Sequence, residues 1–210
     1  MSGPDAAAPV PRTGREDWLR VGLDVLVSEG IGEVKVLSLG QRLGVSRSSF
    51  YWFFRDRQDL LDALLDHWNS TNTAAFFRHA GMAAPSVTAA VCNVFQLFVD
   101  PDLFDPRLDF AVRDWARRDG SVRRALDAAD AGRVGALAAM FERHGYGPEE
   151  AETRARVLYW MQVGYYALDL REPLEGRLAR VPGYLLALTG REPLPGEVEA
   201  FQDHARGRRG

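Results

Sequence analysis

The chain has 210 residues, 46% of them hydrophobic and 26% charged, with a formal net charge of −3 at neutral pH. That length gives one ordinary domain plus a small accessory one, and the composition is that of a globular protein. A net acidic chain is not a general polycation, so contact with nucleic acid requires a local basic surface.

The single cysteine, Cys92, excludes a disulfide framework and a thiolate zinc site, and it suits a reducing cytoplasm. No apolar run is long enough to span a bilayer, so no membrane partner is expected and the expected location is cytoplasmic. The Ala/Pro-rich start lacks the basic and apolar regions of a signal peptide, and residues 1–14 read as a flexible arm. Lys35 is the only lysine; every other cation is arginine.

Apolar residues recur at three- and four-residue spacing, and alternating strand patterns are missing, so the fold expected is all-α. The spacing of Trp18, Leu19, Gly22, Leu23 and Leu26 predicts a first helix over Arg15–Glu29, stopped by Gly30. A second runs over Val36–Leu43, with Leu39 and Leu43 inward. Gly44-Val45-Ser46 is a turn in which glycine supplies positive φ and Ser46 caps a third helix, Arg47–Phe53. Val45 and Phe50 have the spacing of a hydrophobic staple. Asp56 opens a long fourth helix reaching about His79, with Asp59 completing an acidic variant of a capping box. Further helices are expected near Ser86–Val99, Pro106–Arg118, Val122–His144, Pro148–Leu170 and Leu174–Leu188, and Glu197–Arg206 forms a last short helix or a frayed tail.

Ser38–Arg57 has the logic of a helix-turn-helix: two short helices, a glycine turn, and a third element packed behind them. Phe50 and Phe54 anchor inward at i and i+4. Arg47, Ser48, Ser49, Tyr51 and Trp52 are left for other sides. Arg47 can donate to guanine O6 and N7 or to phosphate, serine to either, and a tyrosine hydroxyl to a phosphate oxygen. Between Gln41 and Arg57 stand Arg42, Arg47, Arg55 and Arg57 against one acid, Asp56. A capped helix after a glycine turn also occurs in proteins that never touch DNA. The exposed-side aromatics beside arginines favour a contact surface, while Trp52 stays open between contact and half-buried packing.

The first-helix pattern Trp18-Leu19, Gly22-Leu23, Leu26 and Gly30, followed by LGQRLGVSRSSFYWFFRDRQDLLDALL at Leu39–Leu65, resembles the DNA-binding domain of TetR-family transcriptional regulators over Arg15–Trp68, about a quarter of the chain. The resemblance implies a helix-turn-helix DNA-binding domain over 15–60. A larger helical ligand-binding and dimerisation domain would follow over 61–210. It carries base contact onto Arg47, Ser48 and Ser49, phosphate or base-edge contact onto Tyr51 and Trp52, and phosphate contact onto Arg57, Thr13 and Arg15. The sequence departs from the family at Phe53, where His or Tyr is usual, at Lys35, near the usual Ser/Thr cap, and at the apolar Leu37.

The partners implied are duplex DNA, a second copy of the chain and a small-molecule effector, with no cofactor. Phe95, Phe98, Phe110, Trp115, Met140, Tyr159, Trp160, Tyr165 and Tyr166 either pack the core or line an apolar pocket, with Arg113, Gln162 and Asp109 as polar candidates there. By family analogy Val157, Met161, Gly164, Tyr165 and Leu168, with Tyr184, Leu185 and Leu188, form a dimer interface; an intramolecular core stripe is the alternative. The function expected is a ligand-responsive regulator, a repressor that binds a palindromic operator as a homodimer. The alternative is a helical ligand-binding or protein-interaction module without DNA binding.

His67, His79, His144 and His204 lack metal-ligand spacing, no phosphate loop occurs, and no catalytic constellation is present, so an enzyme is not expected.

Overall fold

The computed structural model describes residues 13–207, and they form helices and turns with no strand. The expected arm therefore lies outside the described residues except for Thr13 and Gly14, and Gly14 is the N-cap of the first helix. Two compact units divide between Leu64 and Leu65, inside a helix rather than in a linker.

In the first unit, α1 (Arg15–Glu29) opens with the Asp17 carboxylate accepting from the Gly14 N–H at 2.9 Å and ends at Gly30. A 3₁₀ turn over Ile31–Glu33 leads into α2 (Val36–Leu43). Lys35 takes the N-cap position of α2 without a side-chain cap, so α2 starts without a serine or threonine cap. Gly44 follows at φ 67°, the left-handed conformation that costs other residues about 1–2 kcal/mol. Gly40 is needed for a different reason. A Cβ there would stand 3.2 Å from the Val45 carbonyl oxygen and 3.3 Å from the Trp18 ring.

The third helix is shorter than expected. α3 spans Arg47–Phe50, and Tyr51, Trp52 and Phe53 continue as a turn whose amides reach back three residues to Ser48, Ser49 and Phe50. Ser46 occupies the N-cap position, but its hydroxyl meets the Ser48 hydroxyl at 2.8 Å instead of capping the helix.

α4 (Arg57–Trp68) follows. Asp56 accepts from the Asp59 amide at 2.9 Å, while Asp59 accepts from the Arg55 amide at 2.9 Å. The reciprocal box is thus closed one residue upstream of the expected position. The unit buries Trp18, Leu26, Leu39, Phe50, Phe54 and Leu60 around one small core. Leu23 and Leu43 are only half-buried.

In the second unit the chain from Leu65 passes through a π-helical segment, Asn69–Thr73, into α5 (Ala74–Gly81). Then follow α6 (Val87–Gln96), capped by Ser86, α7 (Pro106–Ala116), capped by Asp105, α8 (Gly120–Arg143), capped by Asp119, and α9 (Pro148–Ala167). The helix expected over 174–188 is two: α10 (Leu174–Ala179) and α11 (Val181–Thr189). Pro182 has no N–H to bond the carbonyl four residues back, so α10 cannot run on through it, and it is accepted in the first turn of a new helix that starts after Arg180. α12 (Glu197–Gly207) is a full helix and packs Val198, Phe201 and Ala205 inward. The long antiparallel pair α8 and α9 is the backbone of this unit.

Candidate functional site

The first unit turns its buried face inward through three rings. Phe50 meets Trp18 edge-on at 5.1 Å and stacks on Phe54 at 5.3 Å. With Phe50 and Phe54 fixed inside, the residues between them face outward: Tyr51 is 50%, Trp52 84% and Phe53 36% exposed. Trp52 is therefore a displayed ring, not half-buried packing. Leu37, on the preceding helix, is also exposed.

Arg47 donates to the Tyr51 hydroxyl at 3.1 Å, one helical turn on, and its guanidinium lies 5.9 Å from that ring. Exposed Arg47, Ser48, Tyr51 and Trp52, with half-buried Ser49, lie together on α3 and the turn that follows. Thr13 is half-buried. Arg15 is exposed, stands over the Phe54 ring at 4.8 Å, and lies 4.0 Å from Glu16.

The charge count read along the sequence changes in three dimensions. Arg42 pairs with Glu29 at 2.5 Å and Arg55 with Asp59 at 3.4 Å, so two acids from outside the Gln41–Arg57 stretch offset its arginines. Such exposed pairs hold at most about 1 kcal/mol, which a phosphate can displace.

Arg57 has a second task. Its Nε donates to the Val34 carbonyl at 2.6 Å and its Nη2 to the Ile31 carbonyl at 3.0 Å. It ties α4 to the turn after α1, and only its remaining donors are free for a phosphate.

In the second unit the expected pocket residues separate into three groups. Phe95, Phe98 and Gln162 line a cavity of about 70 Å³ together with Arg177 and Phe201. Phe110, Tyr159 and Tyr166 line a smaller void of about 10 Å³ on the other side of Phe98 and Gln162. Trp115 and Met140 line neither: both are buried in the core, and packing is their role.

Arg113 belongs to a buried charge network rather than to an open pocket. It pairs with Asp109 at 2.9 Å and Asp130 at 2.7 Å. Arg133, with no exposed surface, pairs with Asp109 at 2.9 Å and donates to Thr73 at 2.8 Å. Its guanidinium sits 5.1 Å from the Trp68 ring and 5.2 Å from Phe76. Tyr159 donates to Asp130 at 2.6 Å. Burial by itself raises the Asp109 carboxyl, but Arg133 and Arg113, with the Trp68 N–H donating at 2.9 Å, outweigh it and hold that carboxyl below its ordinary range. Arg133 and its aromatic box were not singled out in the sequence, since an arginine in a helix reads as surface.

The expected dimer stripe also divides. Val157 on α9 and Leu168 at its C-cap are 54% and 72% exposed, and Trp160, read in the sequence as core or pocket lining, is also exposed on α9, at 43%. A Cβ on Gly164 would meet nothing within 4 Å. Met161, Tyr165 and Tyr184 instead line the larger cavity, and Leu185 and Leu188 are turned into the core. Those two are corrected from surface to interior: α11 restarts at Pro182, and its core-facing side carries Val181, Leu185 and Leu188.

Cys92 is buried, its thiol pushed up to about 12 by burial and by the nearby Glu197 charge, which makes it inert rather than nucleophilic. Among the described residues no helix is long and apolar enough to cross a membrane.

An exposed short helix set on a compact helical base is the geometry of a helix-turn-helix unit, here followed by a separate helical unit. Residues 19–64 match the family model for bacterial regulatory proteins of the tetR family. Over 48 residues the chain is 40% identical to the class A tetracycline repressor protein from transposon 1721 of Escherichia coli, which covers 23% of this chain and 22% of that protein. The chain thus spans about a fifth of the length of this curated relative. Its fold resembles that of AmtR from Mycobacterium smegmatis, with a TM-score of 0.57 at 20% identity over 97% of this chain and 98% of that one. It also resembles reduced NemR from E. coli, with a TM-score of 0.62 at 17% identity over 87% and 99% of the two chains. Residues 19–64 thus match a tetR-family helix-turn-helix domain at the N-terminal end of the chain.

Proposed function

We propose that the protein binds a near-palindromic DNA operator as a cytoplasmic homodimer and represses transcription until a small molecule occupies the second unit. The observation that carries DNA binding is the surface of α3 and its following turn, where Arg47, Tyr51 and the 84%-exposed Trp52 stand out over a rigid Trp18–Phe50–Phe54 base. Arg47, Ser48 and Ser49 read base edges. Tyr51, Trp52, Arg57, Thr13 and Arg15 hold phosphates or base edges.

A closed homodimer would place two such helices about one DNA turn apart, through exposed Val157 and Trp160 and half-buried Gly164 on α9 with exposed Leu168 at its C-cap. The effector would act by binding one conformer better than the other, and its differential affinity bounds the shift in operator occupancy.

Selection of random duplexes by the purified protein at two salt concentrations tests this reading. A recovered inverted repeat with binding that weakens steeply in salt supports it. Recovery of no sequence at either concentration sinks it in favour of a helical module that does not bind DNA.

The two arginines give separable outcomes. Arg47→Ala should relax preference at one base position of each half-site by about 1–3 kcal/mol, with thermal stability unchanged. Arg57→Ala should weaken all duplexes alike. It should also lower stability by about 1 kcal/mol, because the Val34 and Ile31 carbonyls lose their donor. Affinities across single-base variants, paired with melting curves, distinguish the two.

A further inference from the structure

We infer that the cavity of the second unit lined by Phe95, Phe98 and Phe201 takes a compact apolar carboxylic acid as its anion, received by Arg177 and Gln162. This rests on the reading that a small molecule occupies this unit, and it adds the chemical class.

The walls are apolar, with Phe95, Met161, Leu178 and Phe201 among them. Gln162 is only 8% exposed, and its amide nitrogen has no hydrogen-bond partner. The amide comes near enough to the Tyr166 hydroxyl to favour the ionised phenol, but the approach lacks the geometry of a hydrogen bond. A buried donor left in this state is a standing cost that an acceptor on a ligand removes.

Arg177 is the second donor. One of its N–H groups is spent on the Phe98 carbonyl at 2.9 Å, and its guanidinium lies 5.2 Å from the Tyr165 ring. Among the described residues no carboxylate stands within ion-pair distance of it. The acid on the same wall, Glu172, faces Arg180 at 2.9 Å and takes the Tyr165 hydroxyl at 3.2 Å, so its charge is already balanced. Burial raises the Tyr165 and Tyr166 hydroxyls, and the nearby Arg177 charge opposes that rise. An uncompensated guanidinium and an orphaned amide donor on greasy walls are complementary to a carboxylate on an apolar body, and they oppose an amine.

Three molecules of nearly one shape separate charge from acceptor and from apolar fit: benzoate, the isoelectronic but neutral nitrobenzene, and cumene, which has no acceptor. Titration calorimetry on the full chain should give benzoate about tenfold tighter than nitrobenzene, and cumene weakest. Arg177→Met should bring benzoate down to the nitrobenzene level while nitrobenzene itself is unchanged, which also shows that the variant is folded. Gln162→Leu should weaken benzoate and nitrobenzene together and spare cumene.

Equal binding of all three, nitrobenzene matching benzoate, or no binding by any overturns the inference. Operator occupancy is measured separately. Benzoate binding as expected without release of DNA would leave this site standing and fail the ligand-responsive reading. Release of DNA by amines or hydrocarbons alone would do the reverse.

Discussion

Asp109→Ala should destabilise the second unit by about 3–5 kcal/mol, read as a lower denaturant midpoint. The reason lies in what the substitution leaves behind. Arg133 has no exposed surface, and Asp109 is the carboxylate it pairs with, at 2.9 Å. Without Asp109 the guanidinium stays in a box of aromatic rings, and the Trp68 N–H loses its 2.9 Å acceptor. The remaining acid, Asp130, is already committed to Arg113 and Tyr159.

Removing both charges of the pair tests whether the loss comes from the uncompensated cation. Asp109→Leu combined with Arg133→Met should recover much of the lost stability, because two desolvated charges disappear together. If the double variant is as unstable as Asp109→Ala, the effect is one of shape and the electrostatic account fails.

The same carboxyl sets a pH dependence. Its folded pKa is depressed, so its contribution is fully present above the ordinary aspartate value near about 4. That contribution disappears as pH falls through the depressed folded value. Acid unfolding of the second unit should therefore begin below about pH 4, and the Asp109→Leu/Arg133→Met variant should show a flatter acid limb.

The second large effect is expected at a residue that touches no DNA. Phe50→Ala should cost about 3–5 kcal/mol in the first unit. Phe50 is fully buried and is the ring on which both Trp18 and Phe54 lean. A core this small has little stability to lose, so a cavity there takes away most of it. Operator binding should fall with the fold, by more than a hundredfold, although every outward-facing group remains. Trp52→Ala is the contrast: at 84% exposure it should change stability by less than about 0.5 kcal/mol while still weakening DNA binding. A Phe50→Ala protein that melts normally and keeps its DNA affinity would show that α3 is not supported from beneath in this way.

What the sequence determined by itself was local. Helix starts and stops follow from a 3.6-residue repeat and from the residues that cannot continue it. Thus α1 and α2 fall at Arg15–Glu29 and Val36–Leu43 as their apolar spacing and bounding glycines require. The inward pair Phe50 and Phe54, and the outward Arg47, Tyr51 and Trp52, were likewise legible, since side chains four apart share a face.

The tertiary structure decided every question that depends on partners distant in the chain. Arg57 reads as a free cation until the fold brings the Ile31 and Val34 carbonyls to it. Arg133 reads as a surface arginine until Asp109 and Thr73, 24 and 60 positions away, close around it. Met161 and Tyr165 on one helix and Leu185 and Leu188 on another fit apolar stripes in the sequence, yet the first two line a cavity and the other two pack the core. Periodicity reports which side of a helix is apolar. It carries no record of whether core, cavity or partner covers that side, because that is fixed by where the other helices come to rest.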